Sequence, residues 1–377
     1  MKIFVDAHFL DGRKHGVAIY IERLYSQYIL LKPDDELYFG VEAGSPIDYA
    51  LYSMPNVHVV HYRFGGVLRF LYDIPRLARQ VRADVIHTQY VLPLRLDASV
   101  KRHVSMHDVL YEDFPELFSL LYCLSRKLIF GWSARRAELI SSLSEYSRSR
   151  ISTLYKRNAQ DIHLIPPGVV ADENSVVAIV DSTRANSILY VSRFEKRKNH
   201  IALLKAHVQL RPQHPDLKLV LVGFEIDGTL AMVRKFITEH GLADEVEIRG
   251  NISDEELQGL YRTAGVVAYP SFGEGFGMPI IEAFLLNSNT LFSSRTAMAE
   301  FTFAPANTFD PADDATIIAK LDAALRSRLL EPLEWQAQRR DVIKRYNWRQ
   351  SASTMSDLYH SGNTKTNTFS SGDTQSI

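Results

Sequence analysis

Residues 269–283 read Tyr269-Pro270-Ser271-Phe272-Gly273-Glu274-Gly275-Phe276-Gly277-Met278-Pro279-Ile280-Ile281-Glu282-Ala283. The apolar run 266–269 has the composition of a buried strand, and Pro270 ends it. Gly273, Gly275 and Gly277 predict a loop whose backbone can approach a ligand closely. Pro279 suits the first position of a helix, so a helix is expected to start there. Glu274 then sits in the loop and Glu282 about one turn into the helix. Backbone N–H groups at 276–278 would face an anion, while the two carboxylates accept hydroxyl donors. That combination suits a phosphorylated polyhydroxy compound. A glycine-rich loop alone reads equally well as a tight turn with two surface glutamates, so the rest of the chain has to decide.

Upstream, Val191-Ser192-Arg193-Phe194-Glu195-Lys196-Arg197-Lys198-Asn199-His200 follows the strand-like run 188–191 and opens into the helical stretch 201–210. Arg193 and Lys198 are therefore expected at the carboxyl edge of a sheet, beside a helix N-terminus. Arg supplies a fork of donors and Lys a point charge, a pairing that suits phosphate. Taken alone, such a cluster is most often a solvated basic turn. Ser253 and Glu256 form a capping box ahead of Leu257, Leu260 and Tyr261. Further strand-like runs fall at 217–222, 246–249 and 290–292. In the first half they fall at 3–5, 37–41, 57–60, 84–87, 103–106, 139–143 and 162–165. Helical stretches lie between them, including 70–81 and 120–136. Strands alternating with helices predict an α/β protein with parallel sheets. Pro166-Pro167-Gly168 and a polar stretch divide the chain. The expected organisation is a first domain over 1–170, a linker over 171–186 and a second domain over 187–346. A helix over 347–360 crosses back to the first domain, and a disordered tail occupies 361–377.

The chain has 377 residues, 46% hydrophobic and 23% charged, which excludes disorder as its main state. Lys and Arg number 43 against 44 Asp and Glu, so binding nucleic acid through bulk charge is not expected. The single cysteine, Cys123, excludes a disulfide framework and a cysteine zinc site and fits a reducing cytoplasm. The opening apolar run is too short for a signal peptide, and no 18-residue apolar stretch spans a membrane.

Taken together, the two constellations resemble the retaining family 4 glycosyltransferases, which have the GT-B fold. Glu274 and Glu282 match that family's E-x7-E motif, and Arg193 and Lys198 match its R-x4-K diphosphate clamp. The strings Gly250-Asn251-Ile252-Ser253-Asp254-Glu255-Glu256-Leu257 and Phe309-Asp310-Pro311 are also similar to the family. The resemblance implies two Rossmann-like, doubly wound parallel-sheet domains with a cleft between them. It implies that Arg193 and Lys198 hold the donor diphosphate, Glu274 contacts the transferred sugar and Glu282 holds the ribose. It places Gly250, Asn251 and Ile252 beside the base, and Gly275, Phe276, Gly277 and Met278 along the donor. No His/Asp/Glu cluster has ligand spacing, so neither metal nor other cofactor is expected; the nucleotide-sugar is a substrate. Where the family often has Gly-x-Pro-Val after its E-x7-E helix, this chain has Leu286-Asn287-Ser288-Asn289-Thr290.

In the first half, Gly16 opens a helix after the first strand, where the family has a turn that faces the donor. Ser105-Met106-His107-Asp108 ends a strand and resembles the segment whose His touches the transferred sugar. His107 is therefore a candidate catalytic residue, with His87 second. Ser144 reads as a helix cap. Residues 51–160 hold 16 Lys and Arg against 9 Asp and Glu, an excess of seven, interleaved with aromatic residues. Such a face suits an anionic membrane surface, and the family's acceptors are glycans or lipid-linked glycans. The resulting expectation is retaining, metal-independent transfer of a hexose, first mannose from GDP-mannose and next a sugar from UDP, in bacterial surface-polysaccharide assembly. The enzyme would be cytoplasmic, peripheral on the inner face of the membrane. The rivals are a sugar-nucleotide epimerase of the same fold and a non-catalytic binding subunit. Replacing either clamp residue by Ala is expected to spare folding.

Overall fold

A computed structural model describes residues 1–12, 15–45, 49–170, 184–250, 252–303, 305–327 and 332–361. Two parallel sheets form its frame. The first has seven strands in the order β3-β2-β1-β4-β5-β6-β7. They are Lys2–Asp6, Glu36–Val41, Val57–His61, Val85–Gln89, Lys101–Ser105, Leu139–Ser142 and Ile162–Leu164 for β1 to β7. The second has six, in the order β10-β9-β8-β11-β12-β13. Its strands are Ala185–Val191, Lys218–Val222, Val246–Arg249, Ala264–Tyr269, Thr290–Ser293 and Thr308–Phe309 for β8 to β13. All pairings are parallel; β1 lies between β2 and β4, and β8 between β9 and β11. The strand order reverses at β1/β4 and at β8/β11. Doubly wound sheets bind ligands outside the carboxyl ends of their strands at that reversal. Glu274 and Arg193 follow β11 and β8, and Gly16 and His107 follow β1 and β5.

Helices cover both faces of each sheet, so central strands such as Ile3-Phe4-Val5 and Ile188-Leu189-Tyr190 are wholly buried. Ser253 and Glu256 form the expected reciprocal cap, at 3.1 and 2.8 Å, on the helix Asp254–Thr263. The helix Leu120–Arg136 has the expected bounds. The helix after the glycine loop is Met278–Leu285, one residue earlier than Pro279. Two further differences concern short or polar segments. β8 begins at Ala185, inside the expected linker, and Arg184 already donates to the Ala264 carbonyl at 3.0 Å. Ala185 and Asn186 at its start are exposed, so this end of the strand lacks an apolar signal. The edge strand β13 has two residues, too few for a periodic signal.

The helix Trp348–His360 packs along the helix Gly16–Leu31. Gly168 is indispensable there, since a Cβ would lie 2.1 Å from the Trp348 nitrogen. Val169 N–H donates to the Tyr346 carbonyl at 2.9 Å, and Ser351 Oγ to that of Pro166 at 2.7 Å. The preceding helix, Pro332–Arg345, is fastened to the second domain, with Trp335 Nε1 donating to the Phe284 carbonyl at 2.9 Å. The expected linker residues 171–183 and tail residues 362–377 lie outside the described residues. Among the described residues, no helix is long and apolar enough to cross a membrane.

Candidate active site

The chain leaves β8 through Arg193, makes one tight turn at Lys196–Lys198 and enters the helix His200–Leu210. Asn199 adopts the left-handed conformation there, which Asn tolerates better than most residues. Phe194, fully buried, anchors the turn. Its basic residues have different fates. Arg193 is 41% exposed and pairs with Glu195 at 3.1 Å. Arg197 is 8% exposed; it donates to Glu195 at 3.2 Å, to Glu274 Oε2 at 3.0 Å and to the Gly273 carbonyl. Lys198, 14% exposed, donates to Glu274 Oε1 at 2.6 Å.

Burial alone would raise the Glu274 carboxyl, but Lys198 and Arg197 outweigh it and hold the group at about 2. Burial pushes Lys198 down, an effect Glu274 only partly offsets. Burial opposes the charge on Arg197 too, yet Glu274, Glu195 and Asp108 hold its guanidinium well above the ordinary range. Glu274 therefore stands engaged by two cations rather than free. Lys198 is the nearest neutralising charge of this half-buried carboxylate, so its removal is predicted to cost stability.

Glu282 has the opposite environment. It is half-buried in the helix Met278–Leu285, and no side-chain partner is seen for it among the described residues. Burial, reinforced by the charge of Asp254, raises its carboxyl to about 7. Gly250 is exposed at the end of β10 and Ile252 is half-buried. Asn251 lies outside the described residues. In the glycine loop, Gly277 has φ +113°, a conformation that favours glycine. A Cβ on Gly275 would lie 2.9 Å from the His107 carbonyl and from Asp108 Cβ, so the first domain touches this loop directly. Phe276 points into the core, edge-on to Tyr346 and Phe301, and Met278 is half-buried beside it. Any ligand contact from Phe276 is therefore a backbone contact.

On the opposite wall, Gly16 begins its helix, with open space where a Cβ would be. His15 caps that helix, and burial holds its imidazole low, with the Arg193 charge contributing across the cleft. His107 is buried; its Nε2 lies 2.7 Å from Gln89 Oε1, and burial holds it neutral, at about 3. His87 is not a cleft residue. It is wholly buried and stacked on His103 at 4.0 Å, with Tyr25 hydroxyl and Ser105 Oγ 2.6 and 2.7 Å from its two nitrogens. A central strand covered by a helix leaves it no access. Ser144 caps the helix Glu145–Tyr155 as expected, and it also donates to the Gly275 carbonyl at 2.9 Å.

Between the walls lies a cleft of about 910 Å³. Arg193, Glu195, Arg197, Asp108, Gln89 and Tyr90 are among its lining residues. Lys198, Glu274 and Glu282 are not among its lining residues, although Glu274 is paired with the lining residue Arg197. Among the described residues, no group of three or more His, Cys, Asp and Glu could hold a metal ion.

The model of "Glycosyl transferases group 1" matches residues 174–347, and that of "Glycosyltransferase Family 4" matches residues 16–173. The chain belongs to the family 4 glycosyltransferases. It is 28% identical to O-antigen chain mannosyltransferase B of Escherichia coli over 63% of this chain and 64% of that protein. It is 29% identical to MMP alpha-(1->4)-mannosyltransferase of Mycolicibacterium hassiacum over 60% of this chain and 54% of that one. These matches thus span under two thirds of either relative. Sucrose-phosphate synthase from Thermosynechococcus elongatus superposes with a TM-score of 0.76 at 20% identity, covering 95% of this chain and 98% of that one. The likeness establishes the GT-B fold.

At this site, sequence reasoning missed Arg197, Asp108, Gln89 and Thr296. Arg197 sits in a run of three basic residues that nothing local distinguishes. Asp108 follows His107, and burial raises its carboxyl although Arg197 is near. Thr296 Oγ1 accepts the Glu274 N–H at 2.9 Å from 22 residues downstream.

Proposed function

We propose that this enzyme is a retaining, metal-independent mannosyltransferase that moves mannose from GDP-mannose to a hydroxyl of a lipid-linked glycan in bacterial surface-polysaccharide assembly. The carrying observation is the charge arrangement. Arg193, Arg197 and Lys198 gather at a helix start, whereas Glu282, in the helix after the loop, has no cationic partner among the described residues. A diphosphate flanked by a ribose and a hexose has the complementary pattern. The cations would take up the charge that develops on the leaving diphosphate, so the chemistry asks for no metal. Among the described residues lining the cleft there is no Ser, Thr or Cys to serve as a nucleophile. The bond from the anomeric carbon to phosphate oxygen breaks as the bond to the acceptor oxygen forms on the same face. The acceptor proton passes to the leaving phosphate. Both mannosyltransferase relatives favour mannose.

Acceptor chemistry is suggested by the other wall. Exposed large apolar side chains concentrate in residues 64–72 and 120–129, among them Val67, Tyr72, Leu120, Leu121, Leu124 and Leu128. Leu121 is 78% and Leu128 72% exposed. Arg126 lies over the rings of Tyr122 and Phe130, and Arg136 over Trp132. Contiguous exposed apolar surface marks an interaction site, and basic residues among it suit anionic lipid. An apolar acceptor wall also favours transfer over epimerisation, which needs no acceptor. The test is a panel of GDP- and UDP-sugars with a lipid-linked acceptor in EDTA, with released nucleotide quantified and product anomeric configuration read by NMR. Release of GDP with a retained α-linkage is expected. An epimerised donor, an inverted product or UDP-sugar preference refutes the corresponding part.

A further inference from the structure

The turn Thr296–Glu300 belongs to neither motif, yet it touches both the donor loop and the first domain. At one end, Thr296 Oγ1 accepts the N–H of Glu274 at 2.9 Å. At the other, the Glu300 carboxylate takes the N–H groups of Glu145 and Tyr146 at 3.1 and 2.6 Å. Those are two of the donors that the helix Glu145–Tyr155 leaves free at its start, where a carboxylate is favoured by the helix dipole as well. Ser144, the cap of that helix, accepts the Ser147 N–H and donates to the Gly275 carbonyl. A closed circuit results. It runs from Glu274 through Thr296 to Glu300, crosses to residues 144–146, and returns through Ser144 to Gly275, the neighbour of Glu274.

Two observations show that the circuit is built under constraint. Thr296 has φ +58° and is the only β-branched residue among the non-glycine positions with positive φ in the described residues. A β-branched residue persists there only where surrounding contacts over-determine it. Gly273 is also squeezed. A Cβ would lie 2.5 Å from the Phe114 ring of the first domain and 3.1 Å from Thr296 Cγ2.

We propose that Thr296 and Glu300 are positioning residues for transfer, which tie the placement of Glu274 to closure of the first domain over it. The functional part rests on the donor-site reading of Glu274; the coupling itself does not. The test is amide hydrogen exchange, resolved to single residues, in parent, Glu300→Ala, Glu300→Gln, Thr296→Val and Thr296→Ser, all without donor. Glu300→Ala is expected to speed exchange about ten-fold or more at Glu145 and Tyr146 and also at Glu274, which it does not touch. Thr296→Val is expected to speed exchange at Glu274 and at Tyr146, while Thr296→Ser keeps the parent pattern at both. Glu300→Gln keeps an acceptor oxygen and should fall between parent and Ala, so it serves as the readout if Glu300→Ala unfolds. Effects confined to 145–146 in the Glu300 variants, or to Glu274 in Thr296→Val, overturn the coupling. Failure of the donor assignment would instead appear as absent GDP and UDP binding in a parent whose exchange pattern still shows the coupling.

Discussion

Replacing Glu282 by Gln is expected to stabilise the nucleotide-free protein at alkaline pH while removing its affinity for nucleotide. Burial, with Asp254 adding to it, raises this carboxyl from an ordinary 4.5 to about 7. A rise of that size corresponds to about 3 kcal/mol between the two protonation states. The sign follows from proton counts. Below pH 4.5 both folded and unfolded chains hold the proton, and Glu and Gln should be equivalent. Between 4.5 and 7 the folded chain keeps a proton that the unfolded chain has lost, so parent stability falls as pH rises. Above 7 both are ionised, and the parent bears the whole cost of holding a charge in that half-buried site. Gln has the same shape and no charge, so the variant should gain about 3 kcal/mol at pH 8, roughly 5–10 °C in melting temperature, and nothing at pH 4. The assay is thermal and urea unfolding of both proteins from pH 4 to 9, with GDP binding measured by calorimetry at pH 8. A stability difference that is flat with pH, or a variant less stable at pH 8, refutes the environment assigned to Glu282. Unchanged GDP affinity refutes its role toward the ribose.

Arg193→Ala and Lys198→Ala should each weaken GDP binding by about ten-fold or more, since a charge-assisted contact is worth about 1.5–3 kcal/mol. Only Lys198→Ala should lower the melting temperature, because it strips a half-buried carboxylate of its nearest cation; equal melting of the two variants would contradict that reading. Sugar transfer should continue in EDTA, and complete loss restored by Mg²⁺ or Mn²⁺ would establish a metal requirement. Binding to anionic vesicles should weaken with salt. It should be lost when Leu121, Leu124 and Leu128 become Asp, or when Arg126, Lys127, Arg135 and Arg136 become Glu. Sedimentation of the variants equal to that of the parent would sink the membrane reading.

Much of the frame was legible because its signals are local. Apolar runs such as Ile3-Phe4-Val5 and Ile188-Leu189-Tyr190, punctuated by glycine and proline, mark strands whatever surrounds them. Glu274, Glu282, Arg193 and Lys198 were legible as motifs at fixed spacing. The interior of the site was not. Lys196, Arg197 and Lys198 are adjacent cations in sequence, yet Arg197, buried, and Lys198, half-buried, both pair with Glu274. His87 and His107 both follow strand-like runs, yet one is closed inside the sheet and the other lies against the glycine loop. Thr296 and Glu300 carry no pattern at all.

By itself, the order of residues determined two parallel sheets, the strand ends where a ligand must meet them, and which acidic and basic groups stand near those ends. Only the tertiary structure decided that Glu274 is held by two cations while Glu282 has none among the described residues, and that one turn joins the glycine loop to the other domain. The reason is physical. Period and turn chemistry act over a few residues, whereas desolvation and charge pairing depend on groups brought together from more than 70 positions apart, as Lys198 and Glu274 are.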